Sequence, residues 1–332
     1  MKSRLHWVDF AKGLGIILVV YGHVLRGLNS ANLCNGLFFK VSDNLIYGFH
    51  MPLFFFLSGI FTEKWVLKDF KNAFSDKLKF LVYPYFVWSL LQGSFNVLLS
   101  KYTNNAITWG TLLNIFYQPI GQFWFLYALF FVFFIYYLLR KKFNLIQIFM
   151  FSLGFYFISP FTRVQILGNI FKNFLFFVFG ILYVTKLDYK IVISKLSEIR
   201  PLIITSCLFI LANIFYLSVY SVLGPIKLKL VQIPIALIGI LFVLSISSHL
   251  EKLKSFNFFK YLGMLSVVIY VAHILITAST RIFLMKFLHI SNLYIHIAVG
   301  TTVGVILPVV FYALIKKFQM VHVLFGKNIE KA

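Results

Sequence analysis

The chain has 332 residues, of which 61% are hydrophobic, 20% aromatic and 12% charged, and its net charge is +22. Soluble domains carry about 25% charged and about 45–50% apolar residues, so a water-soluble globule is excluded. The apolar runs are too long and unbroken for the alternating strands of a membrane barrel, which leaves a bundle of transmembrane helices, the other way to satisfy every backbone group in lipid.

Apolar runs predict ten spans, at 7–27, 43–62, 80–100, 121–139, 143–159, 167–185, 201–219, 226–247, 262–283 and 292–315. Lys and Arg cluster in alternate gaps. One set of gaps, which includes Lys64 to Lys79 and Arg140 to Lys142, holds 21 of these cations against seven in the other set. The positive-inside rule then places both termini and the 63–79 gap in the cytoplasm. The first apolar run contains Lys12 and lacks a small-residue cleavage site, so it reads as a permanent helix rather than a removable signal. The whole chain, 1–332, reads as one membrane-embedded domain in the cell's inner or plasma membrane. The positive charge marks topology and membrane lipid contact, not nucleic acid. Cys34 falls in an outer gap and Cys207 in a span, so no disulfide is expected between them, and no metal-ligand spacing is visible.

A charge at the bilayer centre costs about 2.5–3.5 kcal/mol even on insertion scales, so ionisable residues inside spans are candidate functional groups. The first span, DFAKGLGIILVVYGHVLRG, places Asp9, Lys12, His23 and Arg26 on one stripe. Lys12 and His23 are eleven residues apart, roughly 16 Å along the helix. Asp9, Lys12 and Arg26 have reach enough to snorkel towards the interfaces. His23 is too short for that, and its reading is either a hydrogen-bonded bundle imidazole or a general base whose pKa suits neutral pH.

In the second span His50 directly precedes Met51 and Pro52, and a proline bend beside a histidine can open a polar pocket. Ser58 and Gly59 follow, a small pair that also suits close helix packing. Lys77 and Lys79 precede the third span and suit the phosphates of coenzyme A. In the ninth span Ser266, Tyr270, His273, Thr277 and Arg281 fall on one helix face, which must line the bundle or a cavity. In the tenth, Gly300 and Gly304 have the spacing for tight helix contact.

Four segments together resemble the acyltransferase 3 family of bacterial membrane acyltransferases, typified by O-acetylases of surface polysaccharides. DFAKGLGIILVVYGHV is similar to the family's first-helix pattern of a basic residue, ten residues and a histidine. FHMPLFFFLSGIF resembles its second helix, GQFWFLYALFF, with Trp124, its mid-chain segment, and YLGMLSVVIYVAHILI its late helix with serine, tyrosine and histidine. The resemblance implies transfer of an acyl group, acetyl first, from cytoplasmic acyl-CoA to a hydroxyl of a cell-surface glycan or its lipid-linked precursor. Acetyl-CoA is then the donor substrate, and no metal is expected. By the same resemblance His23 is the catalytic residue and Lys12 its basic partner, with His50 and His273 the further catalytic candidates. Asp9, Arg26, Ser58, Lys77, Lys79, Trp124, Ser266 and Tyr270 are the candidate substrate-binding residues. Lys12, Lys77 and Lys79 stand where many members carry arginine, so a bidentate fork is replaced by a point charge. Succinyl transfer is the near alternative. A glycan exporter is the alternative from another class, but it would need polar residues spread over more spans than these. A structural scaffold would need no polar stripes.

Overall fold

The computed structural model describes residues 5–98, 100, 108–220, 223–253 and 256–326. It is 85% helical, with no strand among the described residues. In chain order the helices are α1 (His6–Ser30), α2 (Gly36–Tyr47), α3 (His50–Gly59), α4 (Thr62–Val66), α5 (Phe70–Lys77), α6 (Tyr83–Leu98), α7 (Trp109–Leu113), α8 (Trp124–Arg140) and α9 (Leu145–Ile158). They continue with α10 (Gln165–Lys186), α11 (Tyr189–Leu196), α12 (Ile199–Tyr220), α13 (Pro225–Lys252), α14 (Asn257–Met264), α15 (Ser266–Lys286), α16 (Leu293–Lys317) and α17 (Val321–Phe325).

Seven helical segments among the described residues are long and apolar enough to cross a membrane: 6–30, 109–140, 165–186, 199–220, 230–252, 266–286 and 293–317. The protein is therefore a polytopic membrane helix bundle. Exposed apolar side chains say the same: Ile203, Ile204, Leu208, Leu211 and Phe215 of α12 are all exposed, a stripe that water would not tolerate at this extent.

Four expected spans depart from a single long α-helix. The 43–62 run breaks between Tyr47 and His50, where Phe49 has φ −139°. Pro52 therefore sits in the first turn of α3, where a missing N–H costs no intrahelical bond, instead of bending a continuous helix. The 80–100 run opens with a π-helical turn, Leu78–Val82, before α6. The 143–159 run is the 14-residue α9, opened by a capping box in which Asn144 and Gln147 bond each other's backbone. The 262–283 run also divides, at Leu265, into α14 and α15. The cationic termini at Lys2, Arg4, Lys327 and Lys331 and the cations Lys101 and Lys254 lie outside the described residues.

The backbone forms two compact units. The first comprises residues 1–15, 47–76 and 128–263. Its helices cross at paired glycines. A Cβ on Gly59 of α3 would lie 2.1 Å from the Phe177 carbonyl oxygen of α10, and one on Gly180 would lie 2.0 Å from that of Phe56. Gly13 and Gly263 do the same for α1 and α14, with Cβ positions 1.9 Å from Phe259 O and 1.7 Å from Asp9 O. These are small-residue crossings of the kind that let membrane helices touch backbone to backbone. Beyond α3, Glu63 receives the Tyr136 hydroxyl and pairs with Arg140 at 3.3 Å.

The second unit comprises residues 16–46, 77–127 and 264–332. Here α16 packs on α15 and on the C-terminal half of α1. A Cβ on Gly304 would lie 2.5 Å from Thr277 Cγ2 and 2.8 Å from Val20 Cγ1, and one on Gly300 3.3 Å from Val24 Cγ1, so this spacing is structural, as expected from sequence. The short α17 docks on α6 through Tyr83 Oη to Val323 O at 2.7 Å and Trp88 Nε1 to Leu324 O at 3.1 Å.

Candidate active site

The second unit brings His23 and Arg26 of α1 together with the polar face of α15. The ring centres of His23 and His273 are 5.1 Å apart, with the planes tilted by 54°. His23 is half-buried and His273 fully buried. The Nδ1 of His273 lies 2.7 Å from the Tyr270 carbonyl and 3.1 Å from that of Ile269. A carbonyl only accepts, so Nδ1 carries the proton and donates. In the neutral ring this leaves Nε2 as an acceptor, and that atom is buried with no protein hydrogen-bond partner among the described residues. A buried unpaired acceptor costs about 1–3 kcal/mol, so the Nε2 of His273 is suited to take a proton donor from a bound molecule or water.

Behind His273, Tyr270 donates its hydroxyl to the Gln122 carbonyl. The Gln122 side chain forms a reciprocal amide pair with Gln92 of α6, at 2.7 and 3.2 Å, and both are buried. Tyr270 therefore spends its only proton on the backbone of the Gly121–Phe123 turn and braces α15. Gly121 has φ +51°, a left-handed conformation that suits glycine and turns the chain so that Gln122 points inward ahead of α8. Trp124 is half-buried at the start of α8, its ring 6.4 Å from that of Phe125. Ser266 opens α15 and is buried.

A cavity of about 270 Å³ adjoins His23, with Arg26, Asn96, Thr277, Arg281 and His296 in its wall. Arg26 binds Asp43 of α2 in a bidentate pair, Nε to Oδ1 at 2.6 Å and Nη2 to Oδ2 at 2.9 Å. Arg281 donates to the Gly27 carbonyl. His296, 2% exposed, has its Nε2 2.9 Å from the Ile290 carbonyl. Sequence reasoning passed over His296 and Asn96. The signal for His296 was available: it precedes Gly300 by four residues and Gly304 by eight, so it shares the bundle-facing stripe of α16.

Asp9 and Lys12 lie in the part of α1 that belongs to the first unit, Asp9 buried and Lys12 half-buried. His50 is also in the first unit, 1% exposed, with its ring edge-on to Tyr47 at 4.5 Å. The Ser58 hydroxyl donates to Phe54 O at 2.8 Å, a bond within its own helix. Lys77 ends α5 half-buried, and Lys79 is exposed on the π turn. Two residues apart on a helix, they project in nearly opposite directions. Cys34 and Cys207 are both free thiols, Cys34 buried and Cys207 exposed, and burial pushes the Cys34 thiol above its usual pKa.

Two relatives are the nodulation protein NolL of Sinorhizobium fredii (strain NBRC 101917 / NGR234), 36% identical over 124 residues, and the NolL of Mesorhizobium japonicum (strain LMG 29417 / CECT 9101 / MAFF 303099), 32% identical over 123. These alignments take in 36% and 37% of this chain, and the chain spans only 32% of the length of either relative. No solved structure matches. The Acyltransferase domain family, acyltransferase 3, matches residues 5–313, from α1 into α16, and the chain belongs to that family.

Proposed function

We propose that the protein is a membrane O-acyltransferase that moves an acyl group, acetyl first, from cytoplasmic acyl-CoA to a hydroxyl of a surface glycan or its lipid-linked precursor. The reading includes ten spans with both termini in the cytoplasm, in the inner or plasma membrane. The observation that carries it is the His23–His273 pair beside a cavity, in a chain of the acyltransferase 3 family.

His23 acts as general base. It takes the proton of the acceptor hydroxyl as that oxygen bonds to the thioester carbonyl carbon, and it returns the proton to the departing thiolate as the carbon–sulfur bond breaks. Proton transfer of this kind contributes about 10²–10⁴ in rate. His273 orients the pair: its Nδ1 is fixed on the Tyr270 carbonyl, so its Nε2 is held ready to accept from His23 or from the acceptor hydroxyl. The acyl-CoA supplies the activated thioester, and Lys77 and Lys79 are the cations offered to its phosphates. Mass spectrometry of surface glycans from cells with the protein, without it and with His23→Ala tests the reading. Acyl groups present only with the intact protein are expected. Glycans identical in all three strains would overturn it.

A further inference from the structure

The cavity beside His23 has a one-sided charge. Its wall contains Arg26, Arg281, His23 and His296 and no Asp or Glu. The whole chain has nine acidic residues, and among the described residues of the second unit the single one is Asp43. That carboxylate is engaged with Arg26 in the bidentate pair. Arg281 enters the same wall and donates to the Gly27 carbonyl, a bond that leaves its charge in place. A half-buried cation in a cleft with low-dielectric walls raises the local concentration of anions and strengthens their binding.

The cavity also has a direction and a size. It follows α1 from half-buried His23 to exposed Ser30, about 10 Å of helix. Gly27, where Arg281 is anchored, lies about one turn beyond His23, roughly the width of a sugar ring. At about 270 Å³ it is below the usual range for small-molecule sites, about 300–1,000 Å³, and fits one sugar unit better than an oligosaccharide.

We infer that this cavity is the acceptor subsite and selects an anionic sugar, its carboxylate or phosphate bound by Arg281 and one of its hydroxyls delivered to His23. The inference rests on the acyltransferase reading for the delivery step only; recognition of the anion stands on the cavity itself. Arginine suits the role because its planar fork matches carboxylate and phosphate alike.

The test is a direct binding measurement on the full chain in nanodiscs, by saturation-transfer NMR titration. Methyl glucuronoside and glucose 1-phosphate are compared with methyl glucoside. The first probe represents a uronic acid source and the second a glycosyl phosphate. At least one anionic probe is expected to bind about ten-fold tighter than the neutral glycoside, and the stronger of the two names the source. Arg281→Gln should erase that preference, and Arg281→Lys should keep part of it. High salt should weaken the anionic probe alone, a readout that serves if Arg281→Gln does not fold. Equal affinity for all three probes overturns the inference. Selective anion binding without any acyl transfer supports the inference while overturning the acyltransferase reading, so the two fail separately.

Discussion

His273 presents an imidazole whose Nδ1 proton is spent on Tyr270 O at 2.7 Å, with its ring centre 5.1 Å from that of His23. The two nitrogens of His273 thus have separable jobs. An asparagine at 273 can keep the Nδ1-like donation but has nothing at the Nε2 position, whereas glutamine does the reverse. His273→Asn should therefore lose at least about ten-fold in turnover, and His273→Gln should retain more activity. His23→Ala should lose about 10²–10⁴ while the protein still inserts in the membrane. His289, with φ +52°, is the control: His289→Asn, which tolerates that backbone, should be near wild type. A His23→Ala protein with more than about a tenth of wild-type turnover would move the base to another histidine.

The glycine crossing of α3 and α10 predicts a stability effect independent of chemistry. Gly59→Ala and Gly180→Ala each push a methyl against a backbone carbonyl, and such overpacking costs typically about 1–3 kcal/mol. Gly154 in α9 has nothing within 4 Å of its Cβ position, so Gly154→Ala should be neutral or gain up to about 1 kcal/mol from helix propensity. Thermal melting in nanodiscs reads all three. Equal melting temperatures for Gly59→Ala and Gly154→Ala would contradict the crossing.

The cation bias predicts which side of the membrane each gap faces. In a chain without its native cysteines, Asn72→Cys should be protected from an impermeant thiol reagent in intact cells, and Asn104→Cys should be labelled. Position 72 lies just inside α5, whereas position 104 lies outside the described residues. Labelling of position 72 in intact cells would invert the topology.

Lys77 and Lys79 lead to a kinetic prediction. Neutralising both with glutamine should raise KM for acetyl-CoA more than it lowers kcat, the signature of lost binding rather than lost transition-state contact. Since Lys77 is half-buried and Lys79 exposed, the single variants should differ, with Lys77→Gln the more damaging. Unchanged KM with normal expression would leave the two lysines as topology signals only.

Composition and periodicity alone determined that this is a membrane helix bundle, because both are local properties of the chain. The same holds for the stripe carrying His23 and Arg26 and for the face from Ser266 to Arg281: a helix repeats every 3.6 residues, so side-chain direction follows from spacing. Gly300 and Gly304 were legible for the same reason. What spacing could not supply is which stripes meet. His23 and His273 are 250 positions apart, and their approach depends on how α1, α15 and α16 pack through Thr277, Val20 and the two glycines. The Gln92–Gln122 pair that braces Tyr270, the Asp43 partner of Arg26 and the place of His296 in the cavity wall likewise come from contacts between helices. The breaks at Phe49 and Leu265 fall inside apolar runs that read as continuous. Hydropathy averages over a window and does not register two residues that leave helical geometry, so only the folded chain decides where a span is cut.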